Sequence, residues 1–172
     1  MAVITKKICM LGDFGVGKTS LIRRFVEQSF SDQYLSTVGV KLSRKSLEFS
    51  DLDQEAKLLI WDIEGQTKFK AIAASYLQGA AGVVIVGDVT RSETIQHFQD
   101  HLNLFYSANP KGKAMLVLNK TDLIEPAVSQ KLEAFLEEAI ANVSGIYQTS
   151  AKTGTNVDTM FERLAKELII AP

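Results

Sequence analysis

The chain has 172 residues, 46% of them hydrophobic, and sets 19 basic side chains against 20 acidic ones. That length and apolar fraction suit a single domain, 1–172, with a sizeable core. A formal net charge of -1 at pH 7 gives nucleic acid or an anionic membrane surface no electrostatic footprint. Cys9 is the only cysteine, which excludes an intramolecular disulfide and points to a buried strand thiol in a reducing, cytoplasmic setting. The longest apolar run, 80–86, falls far short of the ~20 residues that span a bilayer. Met1-Ala2-Val3 lacks a signal-peptide core and a myristoylation glycine, and Ile169-Ile170-Ala171-Pro172 lacks a prenylation cysteine. The expectation is a monomer with no direct membrane anchor.

In chain order, short β-rich runs alternate with segments of helical period. Strands are predicted at 8–11, 40–49, 57–61, 83–86, 115–118 and 146–148. Helix faces are predicted from Leu21, Ile22, Phe25 and Val26, and from Ile95, Phe98, Leu102 and Phe105. A further face runs through Val128, Leu132, Phe135, Leu136, Ala139 and Ile140, and the last through Val157, Met160, Phe161, Leu164, Ala165 and Leu168. Alternating strands and helices build βαβ units around a mostly parallel sheet. The exception is the polar turn Ser50-Asp51-Leu52-Asp53, too short for a helical crossover, so the second and third strands should form an antiparallel hairpin. Thr90 with Glu93 reads as a capping box opening the third helix, and Pro126 suits a first helical turn.

Directly after the first strand stands Gly12-Asp13-Phe14-Gly15-Val16-Gly17-Lys18-Thr19-Ser20, which fits G-x-x-x-x-G-K-[ST] and runs into a helix. Its glycines let backbone N–H groups of Asp13, Phe14, Gly15, Val16 and Gly17 turn towards a polyphosphate. The helix N-terminus adds partial positive charge, Lys18 reaches the β and γ phosphates, and the Thr19 hydroxyl suits magnesium. This loop alone leaves a GTPase, an ATPase and a nucleoside kinase open. Two later motifs separate them, Asn119-Lys120-Thr121-Asp122 after the fifth strand and Thr149-Ser150-Ala151-Lys152 after the sixth, where an open α/β sheet places its ligand.

With these motifs in this order, the chain resembles the Ras superfamily of small GTPases over nearly its whole length. The stretch from Ser29 to Val40 is most similar to the Rab branch. The resemblance implies a P-loop NTPase fold: a three-layer α/β sandwich with a six-stranded, mostly parallel sheet, one antiparallel edge strand, and about five helices on both faces. It also implies GTP or GDP and Mg2+ as ligands. Asp122 would accept from guanine's ring N–H and exocyclic amine, and the Ala151 N–H would donate to the base carbonyl. Adenine lacks those donors, and sites built on such bonds discriminate by ~10⁴-fold or more. Lys120 and Lys152 would lie along the base, Asn119 would tie the fifth strand to the phosphate loop, Ser150 would belong to the base motif, and Phe30 would pack edge-on to the ring. Tyr34, in the effector loop, would also contact the nucleotide.

The resemblance further gives Thr37 a magnesium and γ-phosphate role, against the plainer reading of an ordinary loop threonine. Within Asp62-Ile63-Glu64-Gly65-Gln66 it implies that Asp62 holds magnesium through a water, Gly65 senses the γ phosphate and Gln66 orients the attacking water. Catalysis would thus rest on Gln66 and Lys18, metal binding on Thr19, Thr37 and Asp62, and switching on loops near 30–42 and 62–78. Effectors, an exchange factor and a GTPase-activating protein are the implied partners. Two residues depart from the pattern: Phe14 is bulkier than the usual glycine or serine, and Glu64 replaces the usual alanine. They leave a hydrolysis-impaired GTP-binding scaffold as the alternative. His97 and His101, four apart, have no evident third metal ligand and read as a solvated helix face, and Lys111 and Lys113 as loop.

Overall fold

The structure is a computed structural model that describes residues 1–31, 39–63 and 74–171. Six strands form one sheet: β1 (Ala2–Gly12), β2 (Val40–Phe49), β3 (Gln54–Ile63), β4 (Gly82–Asp88), β5 (Lys113–Asn119) and β6 (Gly145–Gln148). Their order across the sheet is β2-β3-β1-β4-β5-β6. All neighbours pair in parallel except β2 and β3, which run antiparallel in register from Val40↔Ile63 to Phe49↔Gln54. A single turn of 3-10 helix, Ser50–Leu52, followed by Asp53 in the left-handed region (φ 50), closes the expected hairpin. The α-helices whose both ends lie among the described residues are α1 (Lys18–Glu27), α2 (Ser92–Gln96), α3 (Phe98–Ala108), α4 (Pro126–Ala139) and α5 (Val157–Ile170).

Because side chains alternate along a strand, each central strand feeds two cores. Ile8, Met10, Val84, Val86, Met115 and Val117 point to the face covered by α1 and α5, where Phe25 and Phe161 stack with ring centroids 4.3 Å apart. Cys9, Leu11, Val83, Ile85, Leu116 and Leu118 point to the other face, under Phe98, Leu102, Phe105 and Leu136 of α3 and α4. Both faces are covered, so β4 is buried along its whole length, with an unbroken apolar run from Val83 to Val86 and the carboxylate of Asp88 at its end. Cys9 is fully buried, its Sγ 3.7 Å from the Tyr76 carbonyl, and burial pushes its thiol up to about 12 against the opposing pull of Lys7.

Four expectations need correction. The segment predicted as one third helix is two, α2 and α3, joined at His97 with φ -82 and ψ -2. Thr90 does not cap it, since its N–H and hydroxyl both donate to Asp88 Oδ1, at 2.8 and 2.6 Å, and the extended Arg91 stands at the N-cap. The buried carboxylate is the stronger acceptor and wins the threonine. On α4, the inward face lies one residue round from the predicted one: Ser129, Leu136 and Ile140 are buried, while Val128 and Phe135 are exposed. Pro126 does open that helix, and Lys113 is not loop but the first residue of β5, paired with Gly82.

Candidate functional site

The strand ends carrying the motifs meet at one end of the sheet. Gly12 ends β1 at φ 149, Gly15 has φ 74 and Gly17 φ 105, so the chain between β1 and α1 takes turns that favour glycine. The loop is also too tight for side chains at two of these points. A Cβ on Gly12 would sit 2.4 Å from the Val86 carbonyl oxygen, and one on Gly17 would sit 2.3 Å from Asn119 Nδ2. Lys18 is 7% exposed, and its ammonium donates to the Gly12 and Asp13 carbonyls at 2.9 and 3.0 Å. Burial pushes that ammonium down from 10.5 to about 8, with Asp62 and Asp13 opposing the fall and Arg91 adding to it. An anion brought into this loop meets a cation that gains from its arrival.

Four consecutive residues of the loop are tied from outside it. Asp13 is gripped by both histidines, its Oδ2 2.5 Å from His97 Nδ1 and its Oδ1 3.0 Å from His101 Nε2. The Phe14 carbonyl accepts from Arg91 Nη2 at 2.7 Å, the Gly15 carbonyl from Lys120 Nζ at 2.9 Å, and the Val16 carbonyl from Asn119 Nδ2 at 3.0 Å. Asp88, 2% exposed at the end of β4, anchors two of these donors, pairing with Lys120 at 2.8 Å and Arg91 at 3.2 Å. Burial presses its carboxyl upward, but the bonds from Lys120 and Thr90 outweigh that and hold it below the usual range. His97 is on an exposed face, as expected, but His101 is half-buried and both rings are engaged by Asp13, and sequence reasoning missed Asp88 and Arg91 altogether. The spacing of His97 and His101 was the one visible signal, and it lacked the partner that the fold supplies.

The base motifs are stitched to each other. Thr149, fully buried, donates to Asn119 Oδ1 at 3.0 Å, and Thr121 donates its hydroxyl to the Thr149 carbonyl at 2.8 Å. The Ser150 hydroxyl donates to Asp122 Oδ1 at 2.7 Å, and Arg24 of α1 holds the Ala151 and Lys152 carbonyls at 2.8 and 2.5 Å. Lys120 takes a left-handed backbone (φ 67), which turns the chain into the short 3-10 segment carrying Asp122. Asp122 and Lys152 lie exposed beside buried Ser150 and Ala151, while Phe30 packs against the α1–α5 core.

For a divalent cation, the Thr19 hydroxyl approaches Asp62 Oδ2 at 2.5 Å, and Asp62 is 1% exposed at the end of β3. A hydroxyl and a carboxylate side by side are hard oxygen donors, the set that Mg2+ accepts. Those two residues fit the ion. Tyr34, Thr37, Glu64, Gly65 and Gln66 lie outside the described residues.

The family model described as Ras family matches residues 7–170. The chain is 35% identical over 167 residues to Ras-related protein Rab-13 of Canis lupus familiaris, covering 95% of this chain and 80% of that one. It is 32% identical over 170 residues to human Ras-related protein Rab-22A, covering 98% and 86%. To Ras-related protein RIC1 of Oryza sativa subsp. japonica it is 38% identical over 165 residues, covering 94% and 79%. A six-stranded sheet with one antiparallel strand, a glycine-turned loop running into α1, and a match over nearly the full length agree, and the chain belongs to the Ras family as a Rab-like small GTPase.

Proposed function

We propose that residues 1–172 form one guanine-nucleotide switch domain that binds GTP with Mg2+, hydrolyses it slowly to GDP and phosphate, and passes the loss of the γ phosphate to effectors through loops near 30–42 and 62–78. Members of the family bind GTP or GDP with Mg2+ and meet effectors, exchange factors and activating proteins. The observation that carries the reading is one hydrogen-bonded frame. Val16 of the phosphate loop is bonded to Asn119, Asn119 to Thr149, and the neighbouring Ser150 to Asp122. A carboxylate suited to a two-donor purine edge and a loop suited to phosphates are thus held at a fixed separation.

In this reading Asp122 accepts from guanine, Ala151 donates to its carbonyl oxygen, and the stems of Lys120 and Lys152 flank the ring with Phe30 at its edge. Backbone N–H groups of residues 13–17 with Lys18, Thr19 and Ser20 take the phosphates. Thr19, Asp62 and Thr37 hold magnesium, which when bound offsets charge on the β and γ oxygens. Tyr34 contacts the nucleotide, Gly65 senses the γ phosphate, and Gln66 orients the attacking water. The domain works as a cytoplasmic monomer; among the described residues no helix is long and apolar enough to cross a membrane.

Titration calorimetry with Mg2+ tests this directly. GTP and GDP are expected to bind at least ~10⁴-fold more tightly than ATP; equal affinity for ATP, or no binding of either, ends the reading. A second reading, a GTP-holding scaffold with restrained hydrolysis, is favoured by one observation: Phe14 is 42% exposed on the loop, where an incoming arginine must approach the transferring phosphoryl group.

A further inference from the structure

The clasp on Asp13 joins two parts of the chain that the nucleotide motifs do not connect. Asp13 opens the phosphate loop, and the imidazoles that grip it come from the α2–α3 junction and the first turn of α3. Each carboxylate oxygen takes one ring nitrogen, so with both rings neutral the pair can donate two hydrogen bonds, and either ring gaining a proton turns its bond into an ion pair. The backbone carbonyl of the same aspartate holds Lys18 at 3.0 Å. A change in how Asp13 is held therefore reaches the lysine directly.

We propose that His97 and His101 are positioning residues of the nucleotide site: gripping Asp13 from the start of α3, they hold the phosphate loop in its receiving shape, and protonation of His101 slows nucleotide release.

The inference rests on the nucleotide reading above. His101 faces Asp13 of the loop, Lys18 of α1 and His97 beside it, and Arg91 from the turn before α2 is the other cation over the loop. Burial holds His101 below its ordinary 6.5; Asp13 pulls it back in part, while Lys18 and His97 push it further down. A bound polyphosphate adds negative charge to this setting and favours the protonated ring, so by linkage protonation favours the bound nucleotide. The sign follows: release slows as pH falls.

The experiment is release of a fluorescent GDP analogue from the full chain, followed from about pH 8 down to about pH 5.5, through and below the ordinary histidine range. Wild type is expected to release it roughly three- to tenfold more slowly at the acid end, a change of about 0.7–1.4 kcal/mol in barrier. The double variant His97→Ala with His101→Ala is expected to release it about fivefold or more faster at every pH. The conservative His97→Gln with His101→Gln keeps amide donors for Asp13, and is expected to restore slow release at pH 8 while losing the acid slowing. A flat wild-type profile, an unaltered Ala pair, or a Gln pair that keeps the pH dependence would each overturn the proposal.

Imidazole titration by NMR gives a second readout that needs no nucleotide. Asp13→Asn removes the charge that lifts His101, so its midpoint is expected to fall. An unmoved midpoint means no clasp. A clasp seen by NMR in a protein that binds no guanine nucleotide overturns the nucleotide reading and, with it, the positioning role.

Discussion

Phe14 is bonded at its backbone and exposed at its side chain. Arg91 holds its carbonyl at 2.7 Å, so the exposed side chain projects from a point that does not yield. If that ring obstructs the approach to the phosphoryl group, removing it speeds hydrolysis. Single-turnover GTP hydrolysis is expected to rise about tenfold in Phe14→Gly, roughly 1.4 kcal/mol of barrier, and, on the reading that the Glu64 carboxylate repels the γ phosphate, to rise as well in Glu64→Ala. Unchanged rates in both variants would remove the idea of restraint. At this scale the motifs were legible because their chemistry is contiguous: Lys18, Asn119 and Asp122 each sit in a run that names its neighbours. Asp88 was not. Its place is set by Lys120, 32 positions on, and by Arg91, through bonds that no local spacing encodes.

Among the elements, the α2–α3 junction carries the most information. Neither proline nor glycine marks it, so periodicity ran one helix through Ile95, Phe98, Leu102 and Phe105. The face is the predicted one; what periodicity lacked was the side chain of His97, engaged by the phosphate loop, and the glycine beneath. A Cβ on Gly87 would lie 2.8 Å from Phe98 Cζ and 3.0 Å from Ile95 Cγ1, so α2 and α3 rest on bare β4 backbone. Phe98→Ala removes a ring that is 0% exposed and is expected to cost about 3–5 kcal/mol. The urea unfolding midpoint checks it, and a loss under about 1 kcal/mol would mean that this helix pair packs otherwise. The rotation of α4 was illegible for a related reason: six apolar positions wrap too wide an arc to say which stripe the sheet takes.

Taken whole, the molecule gathers the residues of the candidate site at one end of the sheet, and that end ties both cores together through β1, the loop and α1. Occupancy there is expected to stabilise everything. GDP with Mg2+ at a hundred times its dissociation constant contributes about 2.7 kcal/mol, or roughly 5–11 °C in Tm for a chain of this size. Chelation is expected to return part of that gain in a thermal-melt series with and without EDTA, and a melt that ignores both nucleotide and chelator would place the site elsewhere. The hairpin and the parallel majority were legible at this scale, from the length of the connections. The order of strands across the sheet was not, because helical crossovers of similar length can set a strand on either side of its predecessor.

Cys9 lies on β1 with β3 on one side and β4 on the other, fully buried and far too weakly acidic to react as it stands. An alkylating reagent mixed with the folded chain finds no second thiol to consume it, since the sequence holds only this one. Each molecule labelled has uncovered the face of β1 on which Cys9 lies, by lifting the elements packed there or by opening as a whole. The chain thus carries an internal stopwatch for the opening of that core, readable by mass alone.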